Sequence, residues 1–304
     1  MQKLSADQCI YYFDSQMEKK YEVGLDEEFL VQTNDCFCGQ IKNENQGIHD
    51  LDYDKLNPAT GPIFIKGVKA GDTIKIHIKD IQIADKGHAL CAPGGGVLGK
   101  EISKSLTKQI PIVDGKAIFH EGISLEICPM IGVIGVATAE EDGKISTDTP
   151  WKHGGNMDTT KIRAGASLYL KANCDGALLA LGDIHALMGD GEVCFTGLEI
   201  SGEVLLEVER IAGKSFSWPI LENEDHFSIL VSRKTLEEAV HEATLTACQY
   251  LSKGLDLSLE EAYILASLSV DLEISQVVDP NVTVRACIPK TLMTMETLIE
   301  KYEA

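Results

Sequence analysis

Two short segments concentrate the residue types from which a hydrolytic site can be built. The first, His153-Gly154-Gly155-Asn156-Met157-Asp158, follows the loop-like TDTPWK of 147–152 and offers an imidazole, an amide and a carboxylate within one turn's length of chain. All three present N or O atoms to a metal or a substrate, and the paired glycines let backbone approach a ligand closely. A tight Asn/Asp/Gly turn would use the same residues. The second segment, LGDIHALMGDGE from Leu181 to Glu192, closes an apolar run that predicts a buried strand. If the strand continues, Asp183 and His185 face the same side, an i, i+2 spacing that suits two metal ligands on a rigid element and that a helix would splay apart. Asp190 and Glu192 repeat that spacing around Gly191. One could hold an ion while the other moves a proton, and a solvated Asp/Gly hairpin loop is the alternative.

Two further patterns are near-misses and a third is a rival. Gly94 to Lys100, GGGVLGK, has the spacing of a phosphate loop, but Glu101 stands where a Ser or Thr would meet magnesium and Pro93 spoils the approaching strand. A glycine loop shaping a pocket edge is expected instead. His241-Glu242 opens like a helical zinc-protease motif, yet Leu245 takes the place of the second histidine, which leaves His241 as a helix-surface residue. Cys91, three residues after His88, could be a thiolate nucleophile with His88 as its base, or a thiol packed as a small hydrophobe.

The elements that must position these residues are mostly strands. In TIKIHIKDIQI, Thr73 to Ile83, the residues Ile74, Ile76 and Ile78 fall on one face, the period of a half-buried strand. Ser167–Leu170 and Ala177–Leu181 flank Cys174-Asp175-Gly176, and Val193–Ile200 and Val204–Arg210 flank Ser201-Gly202, so both stretches predict hairpins. Helices are expected at about 232–253, 258–270 and 290–302, with Thr235/Glu238 and Ser258/Glu261 as capping boxes and Gly254 as a C-cap. Strands return at SVDLEISQVV and NVTVRACI, so the chain divides into a mainly β region, 1–225, and an α+β region, 226–304, packed against it.

Composition narrows the function classes. A chain of 304 residues buries roughly 75% of its unfolded surface, and 44% hydrophobic against 24% charged residues is ordinary for a globular protein. The net charge of -20 argues against nucleic acid and anionic lipid as partners. The start MQKLSADQCIYYFD lacks a signal peptide's basic and apolar regions, and PMIGVIGVATA at 129–139 is too short to span a bilayer, so a cytoplasmic protein without membrane attachment is expected. Nine scattered cysteines predict free thiols, and the sequon at Asn281 is then a coincidence.

The chain resembles the acetamidase/formamidase family over nearly its whole length. The residues that carry the resemblance are Asn34-Asp35 with Gly39-Gln40-Ile41, Asn57-Pro58-Ala59-Thr60-Gly61-Pro62, Ala70-Gly71-Asp72, the 153–158 segment, and Gly182-Asp183 through Glu192. The resemblance implies a jelly-roll-type β-sandwich with additional small β and α/β regions, and hydrolysis of a short-chain amide to the acid and ammonia at a divalent metal. Met157 departs from the pattern, standing where longer formamidases tend to have Cys. On this basis Asp158, Asp183 and His185 are expected to hold the metal with Asp35 as a fourth ligand. Glu192 and His153 are expected to do the catalysis, and Asn156 and His88 to bind the substrate, with Asp148 and Asp190 in reserve. Oxygen-rich ligation suits zinc, and calcium, manganese or iron as alternatives. A homo-oligomer is the expected assembly. The rival readings are a Cys91 amidase and a non-catalytic jelly-roll protein that binds a small ligand.

Overall fold

The computed structural model describes residues 1–302. Two large sheets dominate it. The first runs, edge to edge, through Gln2–Leu4, Phe29–Thr33, Gly202–Ile211, Thr73–Ile83, Ser167–Lys171, Ile220–Glu222, His226–Arg233, Val282–Pro289 and Asp271–Gln276. The second runs from Ile123–Glu126 through Lys116–His120, Leu106–Val113, Lys86–Cys91, Glu199–Ile200, Leu179–His185 and Met130–Gly135 to Gly154–Asn156, with Ala59–Ile65 branching from Leu179–His185. Pairing is antiparallel except for Gln2–Leu4 with Phe29–Thr33 and Tyr21–Val23 with Ala59–Ile65.

The alternation in Thr73–Ile83 sets how the sheets meet. Ile74, Ile76 and Ile78 are buried, and they share one apolar core with Val204, Leu206 and Val208 from the same sheet and with Ile63, Ile131, Leu179 and Leu181 from the other. Each such side chain stabilises the sandwich by about 1.5–3 kcal/mol relative to exposure. The mainly β, sandwich-like expectation therefore holds.

Both expected hairpins are corrected. Ser167–Lys171 pairs with Thr73–Ile83 and Ile220–Glu222 in the first sheet, whereas Leu179–His185 lies in the second. Likewise Glu199–Ile200 belongs to the second sheet and Gly202–Ile211 to the first. Each turn carries the chain across the sandwich. Alternation and turn residues are identical for a hairpin and for such a crossing, because both need a polar, glycine-bearing reversal.

Three helices cover the outer face of the first sheet: α1 (Leu236–Leu255), α2 (Leu259–Ser269) and α3 (Met295–Lys301). Both predicted capping boxes form. Gly254 does not cap α1; Asp256, with φ 54°, does, and Gly254 lies in the helix's last turn, where the space for a Cβ is taken by Met293 Sδ, 2.0 Å away. The helices bury Ala239, Ala243, Ala247 and Leu251 against Ile220, Phe227, Ile229, Val231, Val284 and Ile288. Leu221 and Leu230, one residue out of phase, join the sandwich core. The sheet runs without a break across residue 225, through the pairing of Ile220–Glu222 with His226–Arg233, so the two regions share a sheet and differ in their cores. Among the described residues no helix is long and apolar enough to cross a membrane.

Candidate functional site

The strand Leu179–His185 carries the site. It is buried at every position, paired on one side with Met130–Gly135 and on the other with Ala59–Ile65 and then Glu199–Ile200. The ladder pairs Ile131 with Ile184 and Val133 with Gly182, which sets Gly132 opposite Asp183. A Cβ at Gly132 would lie 2.5 Å from Asp158 Oδ1 and 2.7 Å from Asp183 Oδ2, so only glycine lets two carboxylates rest on this strand. Gly197 plays the same part under the imidazole, where a Cβ would lie 2.4 Å from His185 Nδ1. Asp158, Asp183 and Glu192 all adopt left-handed backbone, with φ of 36°, 55° and 47°. That conformation costs an L-residue on the order of 1 kcal/mol each and is tolerated where surrounding structure or function demands it.

Around His185 Nε2 stand three carboxylate oxygens: Glu199 Oε2 at 3.2 Å, Asp183 Oδ1 at 3.5 Å and Asp158 Oδ1 at 3.7 Å. Ligand atoms of Asp158, His185 and Glu192 lie within 4.8 Å of one another, as do those of Cys36, Asp183 and Glu199. Almost nothing in the protein satisfies them. Both oxygens of Asp158, Oδ1 of Asp183, both ring nitrogens of His185 and Oε2 of Glu199 are buried without a hydrogen-bond partner. Buried polar atoms are normally paired, and leaving one unpaired costs about 1–3 kcal/mol.

Electrostatics agree. Burial lifts Asp158 to about 6 and Glu199 to about 8, although His185 pulls both down. Burial and the neighbouring Asp158 push Glu192 well above the usual carboxylate range, and Asp279 is raised by the same two causes. Burial opposes charge on His185, but Glu199 and Asp183 more than offset it and raise its pKa. A cluster with this excess of carboxylate oxygens, one imidazole and orphaned lone pairs fits a divalent cation, which would satisfy the oxygens that protons otherwise must.

The structure brings Asp158, His185 and Glu192 into one donor group and sets Asp183 beside it, in the group with Cys36 and Glu199 and with Oδ1 3.5 Å from His185 Nε2. Other candidates fall elsewhere. Asp35 belongs to neither donor group: its Oδ1 accepts from Gly39 N at 3.0 Å, closing a turn, and the adjoining Cys36 thiol reaches the cluster instead. His153 is buried against the Phe13 ring at a centroid distance of 4.8 Å, and burial pushes its pKa down to about 3. It belongs to neither donor group, though both its nitrogens are unpartnered. Asn156 donates from Nδ2 to Asp279 Oδ2 at 3.1 Å and leaves Oδ1 free. His88 is buried beside Gln109, 3.2 Å from its amide nitrogen, and sits opposite Glu199 in the sheet. Asp190 is an ion-pair partner of Arg285, and Asp148 accepts from the Thr149 hydroxyl.

The near-misses also resolve. His88 and Cys91 lie three apart on one strand, hence on opposite faces, which removes His88 as a base for Cys91. His241 is exposed on α1. The glycine loop packs on Val193–Phe195, where a Cβ at Gly96 would meet Val193 O at 2.5 Å. Asn281 is buried and donates to Pro150 O at 2.9 Å, so the sequon has no reachable amide. A cavity of about 270 Å³ reaches Glu192 and Gly197 and is walled by Phe119, Leu125, Leu187 and Leu198.

Four residues escape the sequence reading: Cys36, Gly132, Glu199 and Asp279. Only Cys36, next to Asp35, and Gly132, inside an apolar run, carry any local signal.

Comparison with known proteins places the chain in a family. The sequence profile of the acetamidase/formamidase family matches residues 6–142 and 137–295. An acetamidase crystal structure from Bacillus halodurans is 38% identical and superposes with a TM-score of 0.93, covering 96% of this chain and all of that one. A Thermoanaerobacter tengcongensis structure described as a predicted acetamidase/formamidase is 43% identical, with a TM-score of 0.93 and 96% of each chain covered. A formamidase of Methylophilus methylotrophus is 24% identical over 97% of this chain and 93% of its own length. The chain spans 58% of the length of a Schizosaccharomyces pombe relative. The chain belongs to the acetamidase/formamidase family, whose named members are hydrolases of the carbon–nitrogen bond of short amides.

Proposed function

We propose that this protein hydrolyses a short-chain amide, formamide-like or acetamide-like, to the carboxylic acid and ammonia, with a divalent cation, zinc by preference, held by Asp158, Asp183 and His185. The observation that carries the reading is the buried meeting of unpartnered Asp158 and His185 atoms with the Glu192 carboxyl. When bound, such an ion supplies Lewis acidity toward a carbonyl oxygen and toward water.

The chain's own residues supply the rest. Burial and the neighbouring Asp158 raise the Glu192 pKa, which favours its protonated form. It can deliver that proton to the amide nitrogen, so that ammonia and not an amide anion departs. Asn156, with Nδ2 engaged by Asp279, keeps Oδ1 buried and unpartnered, an acceptor for a substrate N–H group. Gly132 and Gly197 keep the ligand atoms uncrowded, and burial of the whole strand keeps bulk water away from the charges.

Glu192→Gln keeps the side chain's size and removes its proton transfer. The variant is expected to keep its metal and to lose about 10²–10⁴-fold in ammonia release from formamide or acetamide. Near-normal turnover would remove Glu192 from the mechanism, and no ammonia from metal-replete wild type on any short amide would favour a non-catalytic binder.

A further inference from the structure

We infer that Cys36, Asp183 and Glu199 form a second divalent-cation site beside the His185 centre, one that takes a borderline-soft ion of the zinc class through the Cys36 thiolate. Their ligand atoms lie within 4.8 Å of one another and all three residues are buried. The group is aimed. Glu199 Oε1 accepts from Gly197 N at 2.8 Å, which fixes the carboxylate plane and leaves Oε2, at 2% exposure, with no hydrogen bond and only the His185 ring nitrogen near it, at 3.2 Å. Asp183 Oδ1 is likewise unpartnered, at 3% exposure. Such an arrangement of donors without partners is what a cation would complete.

The donor types select the ion. A thiolate with two carboxylates suits zinc and cobalt, and disfavours calcium or magnesium, which take oxygen. The density of oxygen donors supports a second ion as well. Carboxylate oxygens of Glu199, Asp183 and Asp158 crowd within 3.2, 3.5 and 3.7 Å of the one His185 nitrogen, more oxygen donors than one imidazole can satisfy. Binding releases the thiol proton to solvent as the sulfur–metal bond forms, with no change of oxidation state. The inference rests on the amidase reading only in taking the His185 cluster as the first cation site.

Full-length protein stripped with a chelator and titrated with cobalt(II) tests it. Bound metal per chain and the near-ultraviolet thiolate-to-cobalt charge-transfer band are the readouts. The expected result is two ions per chain with that band, and one ion without it in Cys36→Ser. If Cys36→Ser loses its cooperative thermal transition, Glu199→Gln is titrated instead and is expected to bind one ion. Two ions without a thiolate band, or a band that persists in Cys36→Ser, would overturn the second site. One ion with intact ammonia release would overturn it and leave the amidase reading standing, whereas no bound ion would overturn both.

Discussion

Arg285 and His185 sit in two buried ionic clusters of opposite design. Arg285 is fully buried and its guanidinium is used up: Nε donates to Glu273 at 3.0 Å, Nη1 to Asp190 and Ser275 at 3.1 and 3.3 Å, and Nη2 to Asp190 and Glu273 at 2.7 and 2.5 Å. Its carboxylate partners are also about 40% exposed, so water solvates what the arginine does not. The His185 cluster has more carboxylates than imidazoles, is almost wholly buried, and keeps atoms with no hydrogen bond. Density of charge is the same signal in both, and what separates a structural cluster from a working one is whether its lone pairs are already spent.

The largest expected effect falls on the unspent cluster. Gly132→Ala would force the Asp158 and Asp183 carboxylates off the strand, and a displacement of about 1 Å typically costs 10²-fold or more in turnover. Metal content should fall with it, and wild-type levels of both would show that the carboxylates need not sit there. Arg285→Met attacks the spent cluster and should lower stability by about 2–3 kcal/mol in denaturant melts while sparing metal binding, because a buried charge network loses its cation but its acids can turn to water. Loss of metal without loss of stability would reverse the two assignments.

A smaller effect distinguishes the clusters by pH. In chelated protein, Asp158 and Glu199, raised to about 6 and about 8, bind more protons folded than unfolded, and His185 acts in the same direction. Stability should therefore fall as pH rises from the ordinary carboxylate range near 4 to about 8, and zinc should abolish the slope. Burial works against ionisation of Asp190, but Arg285 holds its pKa below the usual range, so its contribution is lost only as pH falls below about 4. Denaturation at about pH 5 and pH 8, with and without zinc, checks both arms; a flat profile in chelated protein would count against the cation site.

Much of this was legible before any coordinates. The period-two run of Ile74, Ile76 and Ile78 and the capping boxes at Thr235 and Ser258 are local properties, and they appear as expected. The turns after Lys171 and Ile200 differ from the expected hairpins, since no local signal says which sheet receives the next strand. At the site, Asp158, Asp183, His185 and Glu192 could be named because they cluster along the chain. Glu199 and Asp279 could not, because they arrive through strand pairing and a distant loop; Asp35 carries the family resemblance, whereas its neighbour Cys36 is one thiol among nine with no spacing that marks it as a ligand.

The central claim is that the unspent cluster works only with a cation in it. Chelated protein should be titrated with zinc while bound metal and ammonia release from formamide and acetamide are followed together. Activity absent at the start and rising in proportion to bound zinc is the predicted result; full ammonia release from protein that holds no metal would contradict it.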